Sequence, residues 1–325
     1  MTRSPLLIGL AFLLTVPWGN WVVRTLMKLG ATKRIRADGP ASHQVKSGTP
    51  TMGGLYFLAG LGVITAGLAL RGYTETLLPL LAMLAYGVLG AFDDLRGLKD
   101  AVGVGWLARF KFPWQWLVGM AVALVMFLTV DAHPVIIPVS GQTFELGWWY
   151  VPIMALLIVA TANAVNLADG LDGLAGGTSA IAYGAYGMIA ELSGQQGLAR
   201  FCFALVGVLL AFLWFNVHPA RMFMGDTGSL ALGAGLAAVA GLSGQWLLLP
   251  LVGAIFVVIA LSVIVQVAYF KYSRRKYGEG RRVFRMAPLQ HHLELGGWSE
   301  VQITSRFWVV AAVAAAVGVG LGIGR

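Results

Sequence analysis

Long uncharged apolar stretches alternate with short polar segments along almost the whole chain. A membrane-crossing helix needs about 17–25 mostly apolar residues. Ten windows come close to this length without a charged side chain and predict ten transmembrane helices: Pro5–Val23, Met52–Leu70, Thr76–Phe92, Pro113–Val130, Trp148–Val165, Leu174–Ala190, Phe201–Val217, Gly228–Leu242, Leu247–Phe270 and Phe307–Ile323. The uncharged stretch from Gly228 to Phe270 is too long for one helix, so a break is expected near Ser243-Gly244-Gln245.

Composition agrees with this pattern. Hydrophobic residues make up 58% of the 325 residues and charged residues only 11%, and the mean hydropathy is +0.77. Such values are typical of an all-α polytopic membrane protein, here one integral membrane domain over residues 1–325. The single cysteine, Cys202, lies in an apolar run, which excludes a disulfide framework and a cysteine-based metal site.

The basic residues predict the orientation of the helices. If the N-terminus and the C-terminus are both outside, all but four of the 23 Lys and Arg residues fall on the cytoplasmic side; the exceptions are Arg3, Arg71, Arg200 and Arg325. The net charge of +9 is therefore concentrated on one face, where it attracts anionic lipid headgroups and phosphorylated substrates. On the outer side, Pro134–Val139, a Ser140-Gly141 turn and Gln142–Glu145 predict a short β-hairpin.

Four polar groups interrupt the apolar pattern from the end of the fifth window to the start of the sixth: Asn163, Asn166, Asp169 and Asp172. A charged Asp at bilayer depth costs roughly 2.5–3.5 kcal/mol even on the lenient insertion scale, so these groups must face water, a metal or a polar ligand. If a helix begins near Asp169, the two carboxylates share one face. Alternatively, Asp169 caps the sixth helix.

Two further acidic groups lie at predicted cytoplasmic helix ends. Asp93-Asp94 is an adjacent pair whose charges repel each other unless a cation is near, so it is either a solvated cap or a site for a metal or a proton. Asp226 precedes an uncharged helix within Gly-Asp-Thr-Gly-Ser, where a hard cation such as Mg²⁺ can bridge a carboxylate to a phosphate. The simpler alternative is that Asp226 only caps the eighth helix.

Two basic segments are candidates for contacts with phosphate, and a third lies at a predicted membrane interface. Lys46 precedes Gly53-Gly54, which permits a close backbone approach or forms a plain helix-entry turn. His291-His292 lies in an arginine-rich loop; it is weak evidence for zinc and better evidence for hydrogen bonding to phosphate. Arg109 and Lys111 indicate an interface belt ahead of the fourth helix.

Five motifs together carry a resemblance: Gly-Thr-Pro-Thr-Met-Gly-Gly (48–54), Asp93-Asp94, Asn-Ala-Val-Asn-Leu-Ala-Asp-Gly-Leu-Asp-Gly-Leu (163–174), Phe-Met-Gly-Asp-Thr-Gly-Ser (223–229) and Ala-Pro-Leu-Gln-His-His-Leu-Glu (287–294). From about Lys33 to Trp298 the chain resembles the phospho-N-acetylmuramoyl-pentapeptide transferases, within the polyprenyl-phosphate N-acetylhexosamine-1-phosphate transferases. The motifs occur in that family's order and on the predicted cytoplasmic loops.

The resemblance implies a ten-helix, Mg²⁺-dependent and usually dimeric enzyme of the bacterial inner membrane. Its substrates would be UDP-MurNAc-pentapeptide and undecaprenyl phosphate, its products lipid I and UMP, and its surroundings membrane lipids; no nucleic-acid partner is expected.

Residue roles follow from the same resemblance. Asp226 would bind Mg²⁺, and Asp93 and Asp94 would lie near the lipid phosphate. Lys46 would contact the diphosphate, and Phe223 would stack on uracil. Asn166, Asp169, Asp172 and Asn216 would line the nucleotide pocket, and His291 and His292 would belong to the last-loop histidine motif.

Two departures from the family pattern stand out. Gln290 occupies the first position of what is commonly a run of three histidines, although its amide can still donate to an oxygen. The family's lysine shortly after the acidic pair is not in register, and Arg96 and Lys99 replace it only approximately.

Other functions remain open on the sequence. A sister transferase that uses UDP-N-acetylglucosamine would share the acidic motifs, whereas the segments 48–54 and 287–294 favour the muramoyl-pentapeptide branch. A secondary transporter would place its carboxylates near the bilayer midplane rather than at helix ends on one side. A non-catalytic scaffold would have no use for three acidic clusters on one face.

Overall fold

The computed structural model describes residues 4–32, 46, 48–100, 105–130 and 134–323. Parts of the predicted loops lie outside these ranges, among them the basic residues Lys33, Arg34 and Arg36 and the terminal Arg3 and Arg325.

The described chain is mostly helical. Its α-helices are α1 (Leu6–Thr15), α2 (Gly19–Lys28), α3 (Gly54–Ala69), α4 (Leu77–Lys99), α5 (Ala108–Thr129), α6 (Tyr150–Ala168), α7 (Leu174–Leu192), α8 (Gln196–Asn216), α9 (Gly225–Leu242), α10 (Leu249–Val252), α11 (Ala254–Tyr277), α12 (Leu289–Glu294) and α13 (Glu300–Ile323). Short 3₁₀ turns lie at Val16–Trp18, Thr74–Thr76, Gly147–Trp149 and Trp246–Leu248.

Seven helical segments of the described chain are long and apolar enough to cross a membrane: Leu6–Lys28, Thr74–Lys99, Arg109–Thr129, Gly147–Ala168, Gln196–Asn216, Ala254–Tyr277 and Glu300–Ile323. The predicted class, an all-α polytopic membrane protein, is confirmed at this level. Helices also occupy the three other predicted windows, as α3, α7 and α9. Helix α3 has only 16 residues, while α7 and α9 are rich in Gly and Ala.

Helix α9 lies at the centre of the bundle, against α4 on one side and α6 on the other. Every residue from Thr227 to Gly241 is buried. Glycines make this packing possible, because a Cβ on Gly233 would lie 2.4 Å from the carbonyl oxygen of Thr161 on α6. The central helix therefore holds its first turn, which contains Asp226, in a fixed place among its neighbours.

Two predicted helices are interrupted. The first contains the 3₁₀ turn Val16–Trp18, which includes Pro17, and the hydroxyl of Tyr56 donates to the carbonyl of Thr15 there (2.7 Å). The ninth is not continuous from Leu247. Its α10 ends before Gly253, and α11 begins at Ala254 and extends to Tyr277.

The predicted hairpin and the predicted break after α9 are both confirmed. Strands β1 (Pro134–Ile136) and β2 (Thr143–Glu145) pair antiparallel, with Val135 opposite Phe144. The N–H of Ile136 donates to the carbonyl of Gly244 (2.9 Å), in the turn where α9 ends. The hairpin and this turn thus lie together.

Helix boundaries near the polar motifs differ from the expectation. Helix α6 ends at Ala168 and α7 begins only at Leu174, so Asp169 and Asp172 lie in the connecting turn and do not share a helix face. The expected cap by Asp169 was also wrong, because the residue before α7 is Gly173, whose φ of 76° suits a glycine. Conversely, α4 continues to Lys99, so that Asp93 and Asp94 belong to its last turns.

Candidate active site

Asp94 on α4 holds the first turn of α9 through both of its carboxylate oxygens. One oxygen accepts the backbone N–H of Asp226 (3.0 Å), and the other accepts the N–H and the hydroxyl of Thr227 (2.9 and 2.6 Å). A carboxylate at a helix N-terminus satisfies free N–H groups and the positive end of the helix dipole. Asp94 therefore fixes the position of Asp226.

Lys111 at the start of α5 joins two carboxylates from different helices. Its ammonium contacts Oδ2 of Asp93 at 2.9 Å and also contacts Oδ2 of Asp226. The other oxygen of Asp93 accepts the backbone N–H of Trp106 (2.5 Å). Because all three side chains are mostly buried, this ion pair is weakly screened by solvent.

Asn166 on α6 completes this group of side chains. Its amide donates to Oδ1 of Asp226 (2.9 Å) and to the hydroxyl of Ser229 (2.8 Å). The side chain of Asp226 therefore faces α5 and α6 and does not cap its own helix. The simpler alternative, that Asp226 is only a helix cap, was wrong. We call these residues the acid centre: Asp93, Asp94, Lys111, Asn166, Asp226 and Ser229.

Two glycines allow the helices around the acid centre to pack closely. A Cβ on Gly90 would lie 2.2 Å from the backbone oxygen of Asp226, so α4 and α9 touch backbone to backbone at this level. Gly225 has a φ of 69°, and a Cβ there would lie 2.5 Å from a carboxylate oxygen of Asp94. Neither position accepts a larger side chain without moving the carboxylates.

A second group surrounds the ammonium of Lys46. It lies 2.7 Å from Oδ1 of Asp172 and 2.6 Å from Oε1 of Glu300, and 6.0 Å from the centre of the Phe223 ring. His218 Nδ1 lies 3.1 Å from the second oxygen of Asp172 and 3.4 Å from that of Glu300. We call these five residues the lysine cluster.

Asp172, His218 and Glu300 offer ligand atoms that all lie within 4.8 Å of one another, a separation compatible with a metal ion. However, the ammonium of Lys46 already bonds to both carboxylates. This makes the lysine cluster a cation site that the protein fills with its own side chain.

Backbone contacts hold Phe223 and Asn216 in place. The N–H of Phe223 donates to Pro50 (2.8 Å), and its carbonyl accepts from Gly53 (2.8 Å), which ties the loop before α9 to the motif before α3. Asn216 is 3% exposed and bonds to the backbone of Gly173 (3.2 Å) and of Met222 (2.8 Å). Asn216 therefore connects the turn before α7 to the loop before α9.

The last-loop motif lies against the turn after α6. Gln290 is fully buried and donates to the carbonyl of Leu167 (2.9 Å), near the C-terminal end of α6. The ring of His291 lies against Gly170, since a Cβ on this glycine would lie 3.0 Å from His291 Nε2. His291 Nδ1 pairs with Glu294 (2.7 Å).

His292 has different neighbours. Its Nδ1 accepts the backbone N–H of Arg285 (3.1 Å), and its ring lies edge-on to that of Phe284, with centroids 5.5 Å apart.

The structure thus brings the predicted residues into two groups and one adjoining loop. Asp93, Asp94, Asn166 and Asp226 meet in the acid centre, and Lys46, Asp172 and Phe223 meet in the lysine cluster. Asp169 follows the end of α6. Two members of the lysine cluster, His218 and Glu300, line an open cavity of about 440 Å³ together with Trp298 and other residues.

Sequence reasoning missed four of these residues. Lys111 was interpreted as part of an interface belt, although its ammonium lies in the acid centre. Ser229, three residues after Asp226, had a usable helical spacing. His218 and Glu300 carried no signal, because nothing in the sequence indicates that the ends of α8 and α13 meet.

Comparisons with known proteins agree with this arrangement of motifs. Residues 76–244 match the profile described as Glycosyl transferase family 4, and residues 46–58 match Phospho-N-acetylmuramoyl-pentapeptide-transferase signature 1. These ranges contain the acid centre, Lys46 and Phe223.

Similar proteins named phospho-N-acetylmuramoyl-pentapeptide-transferase occur in several bacteria. One from Chloroflexus aurantiacus (strain ATCC 29366 / DSM 635 / J-10-fl) is 47% identical over 99% of this chain and 90% of its own length. One from Geobacillus kaustophilus (strain HTA426) is 44% identical over 98% of both chains, and one from Bacillus mycoides (strain KBAB4) is 43% identical over 97% of this chain and 96% of its own. The motifs, the profiles and these full-length similarities establish that the chain belongs to the phospho-N-acetylmuramoyl-pentapeptide-transferase family.

Proposed function

We propose that this protein transfers phospho-N-acetylmuramoyl-pentapeptide from its UDP-linked precursor to undecaprenyl phosphate, giving lipid I and UMP. The names of the relatives support the choice of substrates. The observation that carries the chemistry is the acid centre, in which carboxylates from α4 and α9 converge on one ammonium from α5. A reaction between two phosphorylated substrates needs such a place, where positive and negative groups are held at fixed positions.

The same proposal includes ten membrane-spanning helices with both termini outside and the site at the cytoplasmic face of the inner membrane. Helices α7 and α9 are mostly buried by their neighbours, so they can cross the bilayer without a strongly apolar surface of their own. The distribution of Lys and Arg supports the orientation. The resemblance to the family further suggests a homodimer.

In the proposed reaction, an oxygen of the lipid phosphate attacks the β-phosphorus of the diphosphate. The bond from this phosphorus to the bridging oxygen breaks, and UMP leaves. Lys111 and Lys46 supply positive charge near the reacting groups, and Asp94 and Asn166 hold Asp226 in place. As in other phosphoryl transfers, positioning and charge neutralisation supply most of the rate.

The donor set of the acid centre fits Mg²⁺. Asp93 and Asp226 are hard oxygen donors that already share one cation, and with Asp94 the three carboxylates exceed the single Lys111 charge by two. Asp94 has both oxygens committed to α9, so Asp226 is the residue we propose as the ligand, with Asp93 beside it. Bound there, Mg²⁺ would supply Lewis-acid neutralisation of the phosphate oxygens.

Asp93 is the candidate general base. A phosphate monoester has its second pKa near 6 and is mostly ionised at pH 7, so a base assists but is not obligatory. Asp93→Asn should slow turnover more at pH 6 than at pH 8.5 if Asp93 only assists deprotonation. A loss that does not depend on pH would favour a covalent aspartyl-phosphate or a structural role.

The remaining predicted residues bind the nucleotide in this proposal. Phe223 stacks on uracil, and Lys46 contacts the diphosphate. Asn166, Asp169, Asp172 and Asn216 line the nucleotide pocket, and Gln290 from the last loop also contacts the substrate. His291 and His292 act instead on the reacting phosphates, to which they donate hydrogen bonds.

One experiment tests the proposal against its rivals. The purified protein is incubated with undecaprenyl phosphate, Mg²⁺ and either UDP-MurNAc-pentapeptide or UDP-N-acetylglucosamine, and UMP is measured. We expect UMP only from the muramoyl substrate. Release from UDP-N-acetylglucosamine alone would identify the sister transferase, and no release from either would overturn the transferase assignment.

A further inference from the structure

We propose that Glu300 is a positioning residue that orients the ammonium of Lys46 toward the substrate's diphosphate. This inference rests on the proposed function, in which Lys46 contacts that diphosphate. Glu300 opens α13, beyond the last of the motifs that carry the family resemblance. Its carboxylate oxygen Oε1 lies 2.6 Å from Lys46 Nζ.

The first step of the argument is the number of donors on Lys46. An ammonium has three N–H groups. Asp172 and Glu300 accept one each, at 2.7 and 2.6 Å. Because the three N–H groups are arranged around one nitrogen, fixing two of them fixes the direction of the third. A lysine held by one carboxylate could still rotate, so the second carboxylate is what aims it.

The second step is that Glu300 also fixes the other carboxylate. Its Oε1 accepts the backbone N–H of Asp172 at 2.5 Å. The second oxygen of Asp172 accepts the N–H of Ala220 at 3.0 Å. Both carboxylates are mostly buried, with side chains 2% and 9% exposed, so they keep one geometry.

The third step is the support that α13 gives to this turn. Thr304, one helical turn after Glu300, donates to the carbonyl of Asp172 (3.2 Å), and Trp308, one turn further, donates to that of Gly173 (3.3 Å). A Cβ on Gly177 would lie only 2.2 Å from the Trp308 ring, so the two helices are in close contact. One face of α13 therefore holds the turn that carries Asp172.

The charge of the lysine cluster supports positioning over simple attraction. With His218 neutral, Asp172 and Glu300 outweigh Lys46 by one negative charge, which by itself repels a diphosphate. Glu300 consequently cannot aid the binding of an anion through its charge. It can do so by holding Lys46.

A double-mutant cycle separates this role from a structural one. The inhibition of UMP release by UDP and by uridine is measured in four proteins: the wild type, Glu300→Ala, Lys46→Met and the double variant. We expect Glu300→Ala to weaken the binding of UDP about 10-fold and the binding of uridine less than 2-fold. In the Lys46→Met background, Glu300→Ala should cause no further loss for UDP.

Two further variants complete the design. Glu300→Gln keeps an oxygen that can accept from Lys46 and from the N–H of Asp172. Its affinity for UDP should stay within about 3-fold of that of the wild type. Glu279→Gln, an exposed carboxylate that pairs with Arg281, is the matched control. Thermal unfolding shows which variants are folded. If Glu300→Ala is not, Glu300→Asp takes its place, because it withdraws the carboxylate by one methylene and keeps its charge.

The positioning role would be overturned if Glu300→Ala lowered UDP affinity equally in the wild type and in the Lys46→Met background. Equal losses for UDP and uridine would do the same. These results differ from a failure of the proposed function, in which the wild type itself releases no UMP.

Discussion

The ammonium of Lys111 lies between the carboxylates of Asp93 and Asp226, which belong to two different helices. Each carboxylate thus depends on the same cation. If the acid centre binds Mg²⁺ as proposed, removing the Lys111 charge should lower the stability of the fold and strengthen the binding of Mg²⁺.

Lys111→Met should lower the free energy of unfolding by about 3–5 kcal/mol, because it leaves two buried carboxylates without their cation. Added Mg²⁺ should recover part of this loss, since a ligand at 100 times its Kd stabilises the folded state by about 2.7 kcal/mol. We therefore expect Mg²⁺ to raise the thermal unfolding midpoint more in Lys111→Met than in the wild type. Lys276→Met, at an exposed lysine of α11, is the control. An equal rise in all three proteins would contradict the prediction.

Asp226→Asn should abolish Mg²⁺-dependent UMP release, with a loss on the order of 100-fold or more. The variant should still fold, because its amide oxygen can accept the hydrogen bond from Asn166. Glu145→Gln, on the hairpin, should behave like the wild type. Full activity of Asp226→Asn would remove this residue as the metal ligand.

Asp94 stabilises the start of α9 through both of its carboxylate oxygens. Because an Asn cannot accept hydrogen bonds on both sides of its side chain, Asp94→Asn should lower the free energy of unfolding by about 2 kcal/mol. Thr227→Val, which removes one donor, should cost less. Circular dichroism melts of the two variants measure this order, and the reverse order would show that Asp94 does not hold α9.

Gly90→Ala should reduce both stability and activity. The new Cβ would lie 2.2 Å from the backbone oxygen of Asp226, so α4 and α9 must separate; overpacking of this kind typically costs about 1–3 kcal/mol. Gly62→Ala, on α3, meets nothing within 4 Å and should leave UMP release unchanged. Equal behaviour of the two variants in melting and turnover would mean that this backbone contact does not set the site.

Phe223→Ala should weaken UMP binding by about 5-fold to 150-fold, as expected from stacking energies of about 1–3 kcal/mol per base. Phe223→Tyr keeps the ring and should bind normally. Isothermal titration with UMP measures both. Unchanged affinity of the Ala variant would refute the stacking role.

The sequence was sufficient for the helical class and for the hairpin, because apolar windows and turn residues are local signals. It did not predict that Asn166 bonds to Asp226, since the resemblance placed Asn166 with the nucleotide. The sequence did not predict features that depend on contacts between segments far apart in the chain. The turn holding Asp169 and Asp172 contacts Gln290, His291 and α13, and no local pattern encodes those contacts.

Lys111 and Glu300 illustrate the same limit for the site. A lysine beside aromatic residues at a helix start is common at membrane interfaces, so its true partners on α4 and α9 become visible only after the helices pack. Glu300 follows an ordinary loop, and its contact with Lys46 joins residues 254 positions apart.

The contact of Gly90 with the Asp226 backbone has a further consequence for the enzyme's response to its lipids. Since α4 and α9 touch without intervening side chains, a thicker or thinner bilayer that tilts the bundle should carry both helices as a unit. The carboxylates they bear would then keep their mutual spacing across membranes of different thickness, and sensitivity to lipid composition should arise instead at the peripheral, lipid-facing helices.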